Sequence, residues 1–218
     1  MDETVSFSLL ELFKMGGIFM WPLLAFSIAT ITIGLERAIY LMYHNLKIDD
    51  IGKKVTELLH SGDYSAAQDY LDPLRKRRMG ARIIYALVNR SMPGKGRAFS
   101  EHQVEKAAET EAMVCINSLE NGFNFLVALG SLSPLTGFLG TVSGMIGAFK
   151  SIAEATEVNA QIVANGIYEA LITTVFGLII AIIAMIFHSI FNARVDKFAG
   201  EVEKTCSDLI AEVVENQS

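Results

Sequence analysis

Apolar and polar positions follow two different patterns along this chain. Three long runs, residues 15–35, 121–149 and 170–193, hold 21, 29 and 24 positions without a formal charge. A helix needs roughly 20 apolar residues to cross a bilayer, and each run reaches that length. Between the first two runs, and again after the third, apolar residues recur every three or four positions among charges, the period of an amphipathic helix. Ile48, Ile51, Val55, Leu58 and Leu59 follow that period, and so do Val195, Phe198, Val202, Cys206, Leu209 and Val213. The expected fold is an all-α integral membrane protein with three transmembrane helices, the second and third extended into a helical polar domain.

The boundaries follow from the local signals. Residues 1–15 form an amphipathic N-terminus, where VSFSLLELF suits a membrane surface. The chain begins MDET, acidic where a cleavable signal would be basic, so the first apolar run is expected to be retained. Residues 16–43 are the first membrane helix, with Trp21 near one rim and Tyr40 and Tyr43 near the other. Pro22 fits its first turn. Residues 44–120 make a domain of short helices, interrupted at Gly62 and Pro73 and stopped at MPGKG. Ser100 and Gln103 then have capping-box spacing, and no Pro or Gly occurs over 101–121. One continuous helix over 101–149, about 75 Å long, is the expectation. Its part at 121–149 is the second membrane helix, 150–166 a short link, 167–193 the third membrane helix and 194–218 a helical tail.

Charge orients these elements. Of 18 basic residues, thirteen lie between the first two membrane helices and three in the tail, against only Lys14 and Lys150 on the other side. This asymmetry predicts a multi-pass membrane protein with its N-terminus outside and its large loop and tail cytoplasmic. The run Arg75–Lys76–Arg77–Arg78 lacks interleaved aromatics, so it reads as a solvated face near anionic lipid and not as a nucleic-acid surface. A chain that is 51% hydrophobic and 19% charged, with net charge -6, also excludes a disordered or nucleic-acid-coating protein.

The second apolar run is a poor lipid anchor. Gly130, Gly137, Gly140, Gly144 and Gly147 recur every three to seven positions beside Ser131, Ser133, Thr136, Thr141 and Ser143. Such a stripe lets another helix approach closely. Thr174, Gly177, Ala181 and Ala184 make the corresponding small, partly polar seam on the third helix, so Gly137, Gly140, Gly144 and Gly177 are the expected packing residues. A threonine in a membrane helix most often bonds back to its own backbone; repeated around a ring, Thr141, Thr173 and Thr174 would instead wall a pore with hydroxyls.

Glu169 stands at the entrance of the third helix, where an ionisable group is costly unless it faces water or a partner. It reads either as an interfacial carboxylate favoured by the helix N-terminus or as a group that admits or gates a cation. His188 reads as a packed histidine before a proton relay. Cys115 and Cys206 have no metal spacing around them and read as ordinary thiols. No Walker loop, GxSxG or nucleotide fingerprint occurs, so neither an enzyme nor a cofactor-dependent protein is expected.

SPLTGFLGTVSGMIGAF at 133–149 and GIYEALITTVFGLIIAIIAMIFH at 166–188, with the GG..MWPLL...LER pattern at 16–37, resemble the ExbB/TolQ/MotA proton-channel family, most closely its three-span ExbB and TolQ branch. The resemblance implies a homopentamer whose second and third helices line a pore. It implies an ExbD- or TolR-like single-span partner inserted there, and a TonB- or TolA-like protein on which ion flow does work for outer-membrane transport. By the same resemblance Thr141 and Thr174 face the partner's membrane aspartate, and Glu169 matches the family's third-helix glutamate. Two departures stand out: Ile183 takes the place of a frequent proline, and Thr136 that of an aliphatic residue, which keeps sodium open beside the proton as the transported ion. A TolQ-like envelope-integrity motor, a secondary transporter and a structural scaffold are the competing readings.

Overall fold

The structure is a computed structural model, which describes residues 9–92, 100–154 and 160–216. The start of the amphipathic N-terminus, most of the MPGKG stop with Lys95 and Arg97, and the middle of the 150–166 link lie outside the described residues. Eight α-helices are described: α1 Leu9–Met15, α2 Met20–Tyr43, α3 Asp49–His60, α4 Tyr64–Leu71, α5 Met79–Ser91, α6 Glu101–Glu120, α7 Phe123–Glu154 and α8 Ala160–Glu215, with a 3-10 turn at Asp72–Leu74. Helices α2, α7 and α8 each contain a stretch long and apolar enough to cross a membrane. The chain is accordingly an all-helical, multi-pass membrane protein.

The helix expected over 101–149 is interrupted. Asn121 takes an extended backbone, φ −53 and ψ 130, at the end of α6. Gly122 follows at φ 89, a left-handed conformation that glycine adopts without steric cost. Its carbonyl accepts from the Phe125 and Leu126 amides and so starts α7. The run without Pro or Gly ends at Asn121, one residue short of Gly122. Ser100 is the residue before α6, as its spacing predicts, but its side chain makes no cap hydrogen bond. The amide of Gln103 donates instead to the Ser100 carbonyl, at 2.9 Å. Pro22 lies in the first turn of α2, as expected.

Residues 1–36 and 122–189 form one compact unit, and 37–121 with 190–218 form another. In the first, Met20, Leu23, Ile172 and Ile180 are buried together, with Leu12, Phe13, Phe26, Tyr168 and Phe176 packed against them. Phe13 meets Trp21 edge-on, with ring centroids 5.4 Å apart. Gly34 is where Phe187 crosses α2: an added Cβ there would lie 2.5 Å from the ring. Pro134 sits inside α7, where it removes one helical N–H donor. Beside it, the Ser133 hydroxyl donates to the Leu129 carbonyl at 2.6 Å.

In the second unit the amphipathic periods become a core. Ile48, Ile51, Val55 and Leu59 are fully buried, and Val195, Phe198, Val202, Cys206, Leu209 and Val213 of α8 are buried too. The two stripes meet: a Cβ on Gly52 would lie 2.6 Å from Thr205 Cγ2. The Asn216 amide donates to the Leu59 carbonyl at 2.9 Å, and His60 Nδ1 lies 2.8 Å from the Glu212 carboxylate. The basic run is largely engaged with protein. Arg75 pairs with Asp72 and stacks on Tyr85, Arg77 lies over Tyr43, and Arg78 pairs with Asp50 at 2.6 Å. That last contact holds the Asp50 carboxyl below its ordinary range.

Burial pushes the thiols of Cys115 and Cys206 up to about 11. At pH 8 only about one thiol in a thousand is then the reactive thiolate. Both cysteines are therefore expected to resist iodoacetamide in the folded protein at pH 8 and to alkylate readily in SDS, as measured by mass spectrometry.

Candidate functional site

The seam between α7 and α8 is built from backbone. A Cβ added to Gly177 would lie 2.5 Å from the Ser133 carbonyl oxygen, and one on Gly137 would lie 2.8 Å from that of Thr173. One on Gly144 would meet the Gly166 carbonyl at 2.9 Å, and one on Gly140 would overlap the Thr173 side chain. At all four of these glycines an added Cβ would meet the facing helix of the same chain. Gly130 belongs to the same line, where an added Cβ would lie 2.8 Å from the Met185 sulfur, whereas one on Gly147 would meet nothing within 4 Å.

Hydroxyls flank this seam, and they divide into two kinds. Thr136 donates to Leu132 O at 2.9 Å and Thr141 to Phe138 O at 2.7 Å, each within its own helix and each partly exposed. Thr173 donates to Ala170 O at 2.8 Å and lies 3.2 Å from Gly137 O, with 1% of its surface exposed. Its hydroxyl is closed inside the helix pair and offers nothing to an open face, so its place among pore-facing residues is revised to interhelical bonding. Thr174 is partly exposed and donates across the seam to Gly137 O at 3.3 Å. Gly137 O is also the α-helical acceptor position for the amide of Thr141. The hydroxyls of Thr173 and Thr174 therefore converge on one carbonyl while that of Thr141 turns to Phe138 O, and the partly exposed Thr141 and Thr174 keep lone pairs available to an incoming group.

Glu169 is partly exposed and lies on the bare backbone of Gly17, in the corner between α1 and α2. That neighbour was not visible in the sequence. His188 packs edge-on against Phe123, with ring centroids 6.1 Å apart, as a packed histidine would. Ile183 is 38% exposed, and α8 runs through it without interruption.

In the other unit, sequence reasoning passed over a second polar cluster. Arg37 is 9% exposed, with Nη1 3.5 Å from the Ser118 carbonyl. Its guanidinium lies over the Tyr40 ring, and the Tyr40 and Ser118 hydroxyls are 2.8 Å apart. The LER motif contains this arginine, and its position at the end of an apolar run was the available signal. Among the described residues no group of three or more His, Cys, Asp or Glu side chains could hold a metal ion.

The sequence profile of the MotA/TolQ/ExbB proton channel family matches residues 76–204, which include α7, α8 as far as Lys204, Glu169 and all four threonines. The biopolymer transport protein ExbB of Salmonella typhimurium is 37% identical over 97 residues, 44% of this chain and 38% of that protein. The Tol-Pal system protein TolQ of Haemophilus influenzae is 43% identical over 81 residues, 37% of this chain and 36% of that protein. Those two alignments span well under half of the relatives' length. A Synechocystis protein named ExbB-like 3, for its likeness to biopolymer transport protein ExbB, is 30% identical over 182 residues, 82% of each chain. Matched by the profile over more than half its length and by this relative over most of both sequences, the chain belongs to the MotA/TolQ/ExbB proton channel family.

Proposed function

We propose that this chain is the pore-forming subunit of an ion-driven motor in the bacterial inner membrane. Its reading is an energy transducer, not an enzyme. The observation that carries it is the α7–α8 seam, where backbone contact fixes two helices and leaves the partly exposed hydroxyls of Thr141 and Thr174 at its edge. Rigid hydroxyls at a fixed spacing suit the relay of a small cation to and from a titratable group on another helix.

In this reading the N-terminus is periplasmic, the second unit is cytoplasmic, and five copies surround a pore. A single-span partner of the ExbD or TolR kind enters with a membrane aspartate, and a TonB- or TolA-like protein receives the work. Likeness to both an ExbB and a TolQ protein supports nutrient import and envelope maintenance alike. The exposed apolar faces of α2 and α8, including Ile28, Ile31, Ile182 and Ile186, suit lipid or neighbouring copies. The ion is the proton, with sodium as the alternative that the extra Thr136 hydroxyl allows. One charge crossing 100 mV releases about 2.3 kcal/mol, and several charges summed drive one stroke.

The scaffold reading draws on the same seam, because its glycines are fully used in packing. The two readings part on chemistry. In cells carrying the variants in place of the parent, Glu169→Gln and Thr174→Val are expected to lower proton-motive-force-dependent outer-membrane uptake roughly ten-fold or more, with complex assembly on native gels unchanged. Full uptake by both variants rejects the motor assignment for these residues. Collapse of uptake by a protonophore under a maintained sodium gradient selects the proton.

Packing is tested separately. Gly177→Ala and Gly137→Ala force a methyl against backbone and are expected to destabilise the detergent-solubilised protein by about 1–3 kcal/mol, whereas Gly147→Ala leaves its thermal unfolding unchanged.

A further inference from the structure

Helix α1 and the first turn of α2 meet at Gly16 and Gly17. Gly17 has φ +66, a left-handed backbone in which a side chain is strained. It carries a second demand for glycine that has nothing to do with conformation. A Cβ there would overlap Glu169 Oε1 and would lie 2.8 Å from Glu169 Cδ and 3.5 Å from Cγ. The carboxylate of Glu169 thus occupies the space that any side chain at position 17 would fill.

The surroundings hold this arrangement in place. A Cβ on Gly16 would lie 2.5 Å from Met20 Cγ and 3.3 Å from Ile172 Cγ2, so the neighbouring glycine is closed against α2 and α8. Leu12 and Phe13 of α1 pack on the buried cluster of Met20, Leu23, Ile172 and Ile180, and Tyr168, next to Glu169, packs there too. The corner is therefore docked on α8 on both sides of Glu169, and the carboxylate lies over Gly17, the glycine of the pair that Met20 and Ile172 do not close.

We propose that Gly17 is a positioning residue for Glu169: the α1–α2 corner is a seat that selects the direction of this carboxylate on α8. The amphipathic N-terminal helix then acts on the ion path through this seat and is more than a surface anchor. The role assigned to the carboxylate rests on the proposed function above; the seat itself does not.

The test is a cycle of four full-length assembled proteins: parent, Gly17→Ala, Glu169→Asp and the double variant. Alanine at a left-handed position is strained in every background, whereas its overlap with the carboxylate is relieved when the acid is one methylene shorter. Gly17→Ala is expected to lower Tm by about 5 °C or more in the parent and by clearly less in the Glu169→Asp background. Carbodiimide labelling of residue 169 in native membranes, read by mass spectrometry, is expected to change roughly two-fold or more in Gly17→Ala and to return toward the Glu169→Asp rate in the double variant. Gly17→Asn fills the same space at a lower backbone cost and replaces the alanine variant if that one does not assemble. Additive Tm losses, or labelling that Gly17→Ala leaves unchanged, overturn the seat and reduce Gly17 to a turn glycine. Full uptake by Glu169→Gln alongside a coupled cycle removes the ion-path role of the carboxylate and leaves the seat standing.

Discussion

Direct backbone contact between α7 and α8 is the constraint on which the membrane unit depends. In hydrocarbon there is no hydrophobic gain from bringing two apolar helices together, so their association must come from close van der Waals packing and polar bonds. Gly137, Gly140, Gly144 and Gly177 permit that approach, and Thr173 and Thr174 add bonds across it to Gly137 O. The polarity of the seam follows from the same geometry. Once two backbones are in contact, a carbonyl of one becomes an acceptor for hydroxyls of the other, and residues beside the contact are held at fixed height and direction.

Periodicity made the architecture legible. The tail positions Val195, Phe198, Val202, Cys206, Leu209 and Val213 were readable as one stripe because each is apolar among charges, and all six are buried. The glycine stripe was readable for the same reason, since small residues at helical spacing have few other uses in a membrane helix. The break between α6 and α7 was not, because Gly122 stands at the head of an apolar run already rich in glycine, and nothing local marks it as the one that takes a left-handed backbone.

Side-chain fate was less legible than placement. Thr173 and Thr174 are neighbours of identical composition, yet one is closed inside the seam and the other stands at its edge, a difference of about 100° around the helix that sequence alone cannot orient. The contact of Glu169 with Gly17 joins positions 152 apart and leaves no local trace, because the partner's contribution is the absence of a side chain. The pair of glycines before MWPLL was visible as a motif without a stated reason, and the carboxylate supplies one.

Pro134 gives α7 an uneven mechanical character. Lacking an amide proton, it leaves the carbonyl of Gly130 without the donor that every regular turn provides, while Ser133 attends to the adjacent carbonyl of Leu129. A bare acceptor at that depth draws a water molecule or a foreign donor, since lipid tails supply none. With one bond of the ladder missing between Gly130 and Pro134, α7 bends there more readily than a helix with its full set of bonds.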